Sequence, residues 1–210
     1  MILTKHIALI MLTVIFVGVN AAEPVPTPAP EKLLRDTSAE ILEIIQKEHL
    51  AASDPRFQQL IETKVLPSFD FARITALALG RYWREANDSQ KKILIQEFKT
   101  LLIRTYSVAL SINKIQSINV MPVKMQADDT QVIVRTQVIT TDGQRFPIDY
   151  RLLKLDSTWK VYDVSVDGVS LVTNYRNSFA QNIQQGGIDG LIEKLKQRNS
   201  ASASSTASQR

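Results

Sequence analysis

The spacing of apolar residues changes at Ile115, and this change constrains the fold more than any other feature of the sequence. Up to that point apolar residues recur roughly every 3.6 positions, the period of an amphipathic helix. Beyond it they recur at every second position, as in a strand with one buried face. The sequence therefore predicts an α+β fold: a helical N-terminal part, a four-stranded antiparallel sheet and C-terminal helices that cover one face of the sheet.

Capping residues divide the N-terminal part into four helices. Aspartate precedes the second, third and fourth of them, and glycine follows the third. Proline stands at the first position of the second helix, where its missing N–H costs nothing. The predicted helices span about 31–50, 55–66, 71–79 and 89–110, with Asp54, Asp70 and Asp88 as N-caps and Gly80 as terminator.

The second half of the chain predicts an antiparallel meander. Its strands are expected over 117–124, 130–140, 145–155 and 159–166. The turns between them contain Asp128-Asp129, Asp142-Gly143 and Asp156-Ser157, and such short turns favour consecutive antiparallel pairing. After the sheet, Ser170 is expected to cap a helix through about residue 185, Gly186-Gly187 to break it, and 188–198 to form the last helix.

The two ends of the chain predict export and disorder. Segment 1–21 has the features of a secretory signal: Lys5, an apolar run over 7–19, and small residues at Val19-Asn20-Ala21. That run is shorter than the roughly 20 residues needed to span a membrane. We therefore expect a periplasmic protein with a signal peptide over 1–21, a proline-rich non-helical leader over 22–30, one folded domain over 31–199 and a disordered tail over 200–210.

The composition argues against several kinds of functional site. The chain has no cysteine, and His49 is the one histidine outside segment 1–21, so no Cys–His pair or metal site is expected. None of the seven glycines belongs to a phosphate-binding loop motif. A formal net charge of +4 is too small to indicate nucleic-acid binding.

Carboxylates are the remaining candidates for acid–base chemistry. Asp70 is expected to cap a helix, Asp149 to point away from the core, and Asp167 to lie in a turn with Gly168. The role of Asp163 stays open. Because spacing alone places no two carboxylates opposite each other, we expect no catalytic residues and no enzymatic activity.

The predicted helix 89–110 carries more apolar residues than one buried stripe requires. Either it lies at the centre of a solid core, or it lines an apolar cavity. Aromatic residues on both sides of it, in the other helices and in the sheet, fit either arrangement. Together with the apolar surplus of the helix, they make an internal cavity a reasonable hypothesis.

Two ordered blocks of residues resemble the MlaC family, also called the toluene-tolerance auxiliary proteins. The first block contains Pro67, Asp70-Phe71, Ala78-Leu79-Gly80, Trp83-Arg84, Gln90, Phe98, Leu101-Leu102 and Tyr106. The second contains Trp159 to Val164, Gly168 to Val172, Asn174-Tyr175-Arg176, Phe179 and Gly187-x-x-Gly190-Leu191-Ile192. The likeness covers nearly all of 31–196, with a small departure at Ile74-Thr75-Ala76-Leu77.

The resemblance implies a periplasmic phospholipid carrier. Such proteins shuttle lipid between an outer-membrane lipoprotein–porin complex and an inner-membrane ABC transporter complex with an MCE-domain protein, and thereby maintain outer-membrane lipid asymmetry and solvent tolerance. The protein is expected to be a monomer with phospholipid as cargo and no other cofactor. The acyl chains are expected in an apolar pocket between sheet and helices, lined by Phe71, Ile74, Phe98, Leu101, Leu102, Tyr106, Val132, Val134, Ile148, Tyr150, Leu152, Val164, Val169, Leu171, Val172, Tyr175 and Phe179.

Two other functions stay open from the residues alone. A small α+β cavity enzyme of the steroid-isomerase kind would need a carboxylate or a tyrosine pair facing its cavity, and Asp163 is the carboxylate left for that role. A periplasmic adaptor that binds only proteins would have a filled core and no extractable lipid.

Overall fold

The computed structural model describes residues 29–51, 54–109 and 115–207 and confirms the α+β architecture. The predicted signal peptide and most of the predicted leader lie outside these residues. The helices and strands, in chain order, are α1 (Ala29–Glu48), α2 (Pro55–Leu60), α3 (Phe71–Leu79), α4 (Asp88–Ala109), β1 (Ile115–Val120), β2 (Gln131–Thr140), β3 (Arg145–Leu155), β4 (Thr158–Val166), β5 (Val169–Ser170) and α5 (Leu171–Ala207).

Helix α1 begins inside the segment that the sequence predicts to be non-helical. It starts at Ala29, and Pro30 is buried in its first turn. Proline is tolerated at this position because the first N–H groups of a helix have no intrahelical partner. The end of the predicted leader is therefore helical.

The segment between α2 and α3 is an irregular helix. After α2 the chain forms a π-helical turn over Ile61–Val65 and a 3₁₀ turn over Leu66–Ser68. The caps on either side agree with the sequence. Asp54 Oδ1 accepts from the Arg56 N–H at 2.9 Å, and Asp70 Oδ1 accepts from the Arg73 N–H at 2.9 Å.

Helix α4 is capped one residue earlier than predicted. Asn87 Oδ1 accepts from the Gln90 N–H at 2.9 Å, and Gln90 Oε1 accepts from the Asn87 N–H at 3.0 Å. This reciprocal pair is a capping box, and it satisfies two backbone donors at once. Asp88 is instead the first residue of the helix.

The sheet has five strands, not four, in the order β1-β2-β3-β4-β5. The added strand is the short β5, where Val169 and Ser170 pair with β4. Strand β1 ends at Val120 rather than at the predicted residue 124. Pro122 lacks the N–H that further pairing needs, and the Val123 N–H is donated to Glu31 Oε2 of α1 at 2.8 Å.

Helix α5 follows the sheet directly. The Thr173 N–H donates to Ser170 Oγ at 3.1 Å, which confirms the predicted cap. The helix is interrupted at Gly187, whose φ of 68° lies outside the helical region. Its second part continues to Ala207 and so overlaps the segment 200–210, for which the composition predicts disorder.

Apolar side chains gather in two large clusters. The helical cluster joins α3, α4 and both parts of α5. The sheet cluster joins the inner face of the sheet to α1 through Leu34. A smaller cluster around Phe57 packs α2 against the end of α1.

Candidate functional site

The predicted pocket residues divide between the two large clusters. The helical cluster contains Phe71, Ile74, Phe98, Leu101, Leu102, Tyr106, Val172, Tyr175 and Phe179. The sheet cluster contains Val132, Val134, Tyr150, Leu152 and Val164. Ile148 and Leu171 belong to neither cluster, although Ile148 is buried. Val169 is 60% exposed and lies on β5 rather than on a helix face.

The helical cluster is built around three aromatic rings. Phe98 of α4 is fully buried, and its ring centre lies 4.9 Å from Tyr175 and 4.8 Å from Phe179 of α5 in edge-on contacts. Tyr106 packs at the side of this cluster. Burial, and secondarily the nearby Tyr175, raises the pKa of the Tyr106 hydroxyl.

The sheet cluster is centred on β2, β3 and β4. Val134, Leu152 and Val161 are fully buried. Tyr150 lies directly opposite Val134 on one side and Val164 on the other, so the three side chains share one face. Burial raises the pKa of Tyr150 to about 12.

Phe69 connects the two clusters and is absent from the residues that the sequence predicts for the site. Its side chain packs against both clusters, and its ring stacks on Phe71 with centroids 5.8 Å apart. The backbone beside it is anchored to the sheet, since the Asp70 N–H donates to the Val161 carbonyl at 2.9 Å. Sequence periodicity could not reveal this position, because Phe69 lies in the link before α3 and takes its place from a tertiary contact.

Asp163 holds the junction between β4 and α5. It is 7% exposed, and its carboxylate accepts from Ser170 Oγ at 2.7 Å, from the Val164 N–H at 2.9 Å and from the Val172 N–H at 3.2 Å. Arg151 Nε lies 3.9 Å from it. The carboxylate therefore serves as a hydrogen-bond acceptor for the start of α5.

The other candidate carboxylates have the structural positions predicted for them. Asp149 is partly exposed and lies 3.9 Å from Arg135 on the neighbouring strand. Asp167 and Gly168 form the β4–β5 turn with φ values of 49° and 80°. In the described ranges no group of three or more His, Cys, Asp or Glu side chains is placed to hold a metal ion.

Basic side chains lie on the outer surface of α3 and of the turn after it. Arg73, Arg81 and Arg84 are exposed, and the Arg73 guanidinium lies 5.6 Å from the centre of the Tyr162 ring. Arg176 has a different role, because its Nε and Nη2 both donate to the Leu77 carbonyl, at 3.0 and 2.9 Å. It ties α5 to the end of α3.

Two open concavities mark the surface of the described part of the chain. One, of about 380 Å³, is lined by Val169 and by polar residues at the start of α5. The other, of about 370 Å³, lies between α4 and the end of α5 and is lined by Glu97, Arg104, Lys196, Asn199 and Ser200. Neither lies between the sheet and the helices, so the predicted pocket stays a prediction. No helix in the ranges that the structure describes is long and apolar enough to cross a membrane.

Known proteins are similar to this chain in sequence and in fold. A family model described as MlaC protein matches residues 35–197. The chain belongs to the MlaC family. This confirms the resemblance shown by the two blocks of residues, and the match covers the helical cluster, the strands of the sheet and the junction at Asp163.

Individual relatives extend the comparison. The toluene tolerance protein ttg2D of Pseudomonas putida is 28% identical over 175 residues, which are 80% of this chain and 81% of the relative. The intermembrane phospholipid transport system binding protein MlaC of Haemophilus influenzae is 26% identical over 174 residues, which are 80% of this chain and 78% of the relative. A solved structure of a phospholipid-binding protein from Ralstonia solanacearum, in complex with a phospholipid, has a TM-score of 0.77 and 35% identity and covers 84% of this chain and 99% of its own.

Proposed function

We propose that this MlaC protein binds a phospholipid and carries it through the periplasm between the two membranes. The observation that carries the proposal is the similarity to the Ralstonia protein, which is 35% identical, matches over 99% of its own length and was solved with a phospholipid. The relative from Haemophilus bears the name of an intermembrane phospholipid transport system. The two apolar clusters of this chain supply the kind of surface that acyl chains require.

The acyl chains would lie between the sheet cluster and the helical cluster, beside Phe69. Two chains hold roughly 30 methylene groups, and each stabilises the complex by about 0.8 kcal/mol when it leaves water. Release of such a lipid into water would therefore be extremely slow. Transfer into another apolar channel exchanges one apolar surface for another and is nearly neutral, so handover requires direct docking to a partner.

The partners in this proposal are an outer-membrane lipoprotein–porin complex and an inner-membrane ABC transporter complex with an MCE-domain protein. Through them the carrier would maintain outer-membrane lipid asymmetry. Exposed Arg73, Arg81 and Arg84 offer a basic surface that would steer the carrier towards acidic partner surfaces, an effect that salt screens. Charge reversal at these three arginines should reduce crosslinking to the partner complexes, and unchanged crosslinking would exclude this surface. Arg176 is left unchanged in this test because it holds the fold.

Export is tested by the mass of the mature chain. Intact-mass measurement on the periplasmic fraction should show a protein that begins at or near Ala22. A chain that retains Met1 and stays in the cytosolic fraction would contradict the proposed location.

Lipid binding is tested by organic extraction of the purified protein and mass spectrometry. The wild-type protein should release phospholipid, whereas Val134→Trp should release less, because the larger ring fills space beside Tyr150. Val169→Trp is the matched control, since the same substitution is made at a side chain that is 60% exposed.

The thermal midpoint of each variant is measured alongside its lipid content. Overpacking of a solid core costs about 1–3 kcal/mol, so a Val134→Trp protein that is destabilised but keeps its lipid would place Val134 in the core and away from the pocket. A wild-type protein without lipid would contradict the carrier function and favour a protein-only adaptor.

A further inference from the structure

We propose that the Tyr150 hydroxyl donates a hydrogen bond to an ester carbonyl of the bound phospholipid. The inference rests on the proposed function and adds a polar contact to a site otherwise described by apolar side chains. It concerns one atom in the middle of the sheet, and it follows from the position, the unused hydrogen-bonding capacity and the surroundings of that atom.

Tyr150 lies on the central strand of the five. On its own strand, Ile148 and Leu152 share its face, and both are buried. Across the sheet it faces Val134 and Val164. Its neighbours on this face are thus apolar on four sides, while the adjacent charged residues Asp149 and Arg151 project from the opposite face of β3.

The Tyr150 hydroxyl has hydrogen-bonding capacity that the protein does not use. It takes part in none of the hydrogen bonds formed among the described residues, so it is available to donate to a bound molecule. Tyr162 on β4 differs, since its hydroxyl donates to Gln131 Oε1 at 3.0 Å. The Tyr150 side chain is only partly buried, so its hydroxyl is within reach of a molecule that lies on this face of the sheet.

The surroundings select the chemistry of the acceptor. Because the pKa of Tyr150 is raised to about 12, the hydroxyl keeps its proton at neutral pH and acts as a donor. A phosphate placed here would lose its hydration among valine, leucine and isoleucine side chains without a cation beside it, which is strongly unfavourable. A neutral ester carbonyl at the top of an acyl chain accepts one hydrogen bond and brings no charge to this apolar face.

The test combines Tyr150→Phe with a change in the lipid. Wild-type and variant proteins are loaded from vesicles of phosphatidylethanolamine with ester-linked chains, and separately from vesicles of the diether analogue with the same chain lengths. The wild-type protein should retain the ester lipid about three- to tenfold better than the ether lipid, the range expected for one hydrogen bond. Tyr150→Phe should lose this preference and retain both lipids only as well as the wild-type protein retains the ether lipid.

Tyr162→Phe is the matched control, because it removes a tyrosine hydroxyl from the neighbouring strand and should leave the ester preference unchanged. The thermal midpoint of lipid-free Tyr150→Phe should equal or exceed that of wild type, since no internal hydrogen bond is lost. A lower midpoint would assign the hydroxyl a structural role and overturn the inference.

Each remaining outcome has a definite reading. If Tyr150→Phe keeps the wild-type preference, or weakens both lipids equally, the hydroxyl does not contact an ester and the inference fails while the carrier function stands. If the wild-type protein retains neither lipid, the proposed function itself fails.

Discussion

Substitution of Asp163 tests whether this carboxylate is a structural acceptor or a reactive group. In the structure it accepts from Ser170 Oγ and from two backbone N–H groups at the β4–α5 junction. Asp163→Ala removes all three bonds, whereas Asp163→Asn keeps one acceptor oxygen but places an amide N–H₂ where the second oxygen was. The two variants should therefore destabilise the protein to different degrees.

The expected magnitudes follow from burial. Asp163 is 7% exposed and Val172 is 5% exposed, so a donor left without an acceptor there costs about 1–3 kcal/mol. With the Ser170 hydroxyl also deprived of its partner, Asp163→Ala should lower the free energy of unfolding by about 2–4 kcal/mol, and Asp163→Asn by about 1–2 kcal/mol. Asp149→Asn is the control, because its ion pair of 3.9 Å is partly exposed and is worth less than about 1 kcal/mol.

Urea unfolding followed by circular dichroism gives these free energies, and lipid content is measured on the same samples. A double-mutant cycle with Ser170→Ala isolates the 2.7 Å contact, and the two substitutions should be less destabilising together than the sum of their separate effects. An Asp163→Ala protein as stable as wild type would refute the assignment, since the carboxylate would then be free for chemistry or for a ligand.

Two further substitutions test other contacts. Hydrogen bonding, first from the Val123 N–H and then from Arg35, lowers the pKa of Glu31 from its usual value of 4.5. The stability that the ionised Glu31 carboxylate contributes is therefore present above pH 4.5 and is lost as the pH falls through the lowered pKa. Glu31→Gln should be less stable than wild type by about 1–3 kcal/mol at pH 7 and lose less stability on acidification; parallel pH profiles in urea unfolding would contradict this. Phe69→Ala should destabilise the protein by about 2–4 kcal/mol. In this variant, backbone amides of the sheet and of α3–α5 should exchange hydrogen at different rates. Equal rates in the two regions would show that Phe69 does not couple them.

Features that depend on local chemistry were predictable from the sequence. Asp54, Asp70 and Ser170 cap the predicted helices, and Gly80 ends α3 with a φ of 58°, because a cap or a glycine needs only its near neighbours along the chain. The predicted cap of α4 was wrong by one residue. Asn87 and Asp88 are both good caps, and Gln90 decides between them by its reciprocal bond.

Features that depend on distant contacts were not predictable. Strand β5 has two residues, too few to show a period. The apolar pattern identifies buried faces but does not say which faces meet, so residues of one predicted pocket fall into two clusters. Val169 is apolar yet exposed, and Phe69 gains its central position only because the segment before α3 pairs with β4.

That pairing also determines how the sheet ends. Beyond β4 the meander supplies only Val169 and Ser170, which pair with Val166 and Ser165. Further along β4, the segment at Phe69 forms a parallel bridge to Val161 and occupies the backbone there. Unpaired strand edges invite strands from other molecules, which is a route to aggregation. By occupying this edge at two points, the fold withholds the β4 backbone there from the strands of neighbouring copies.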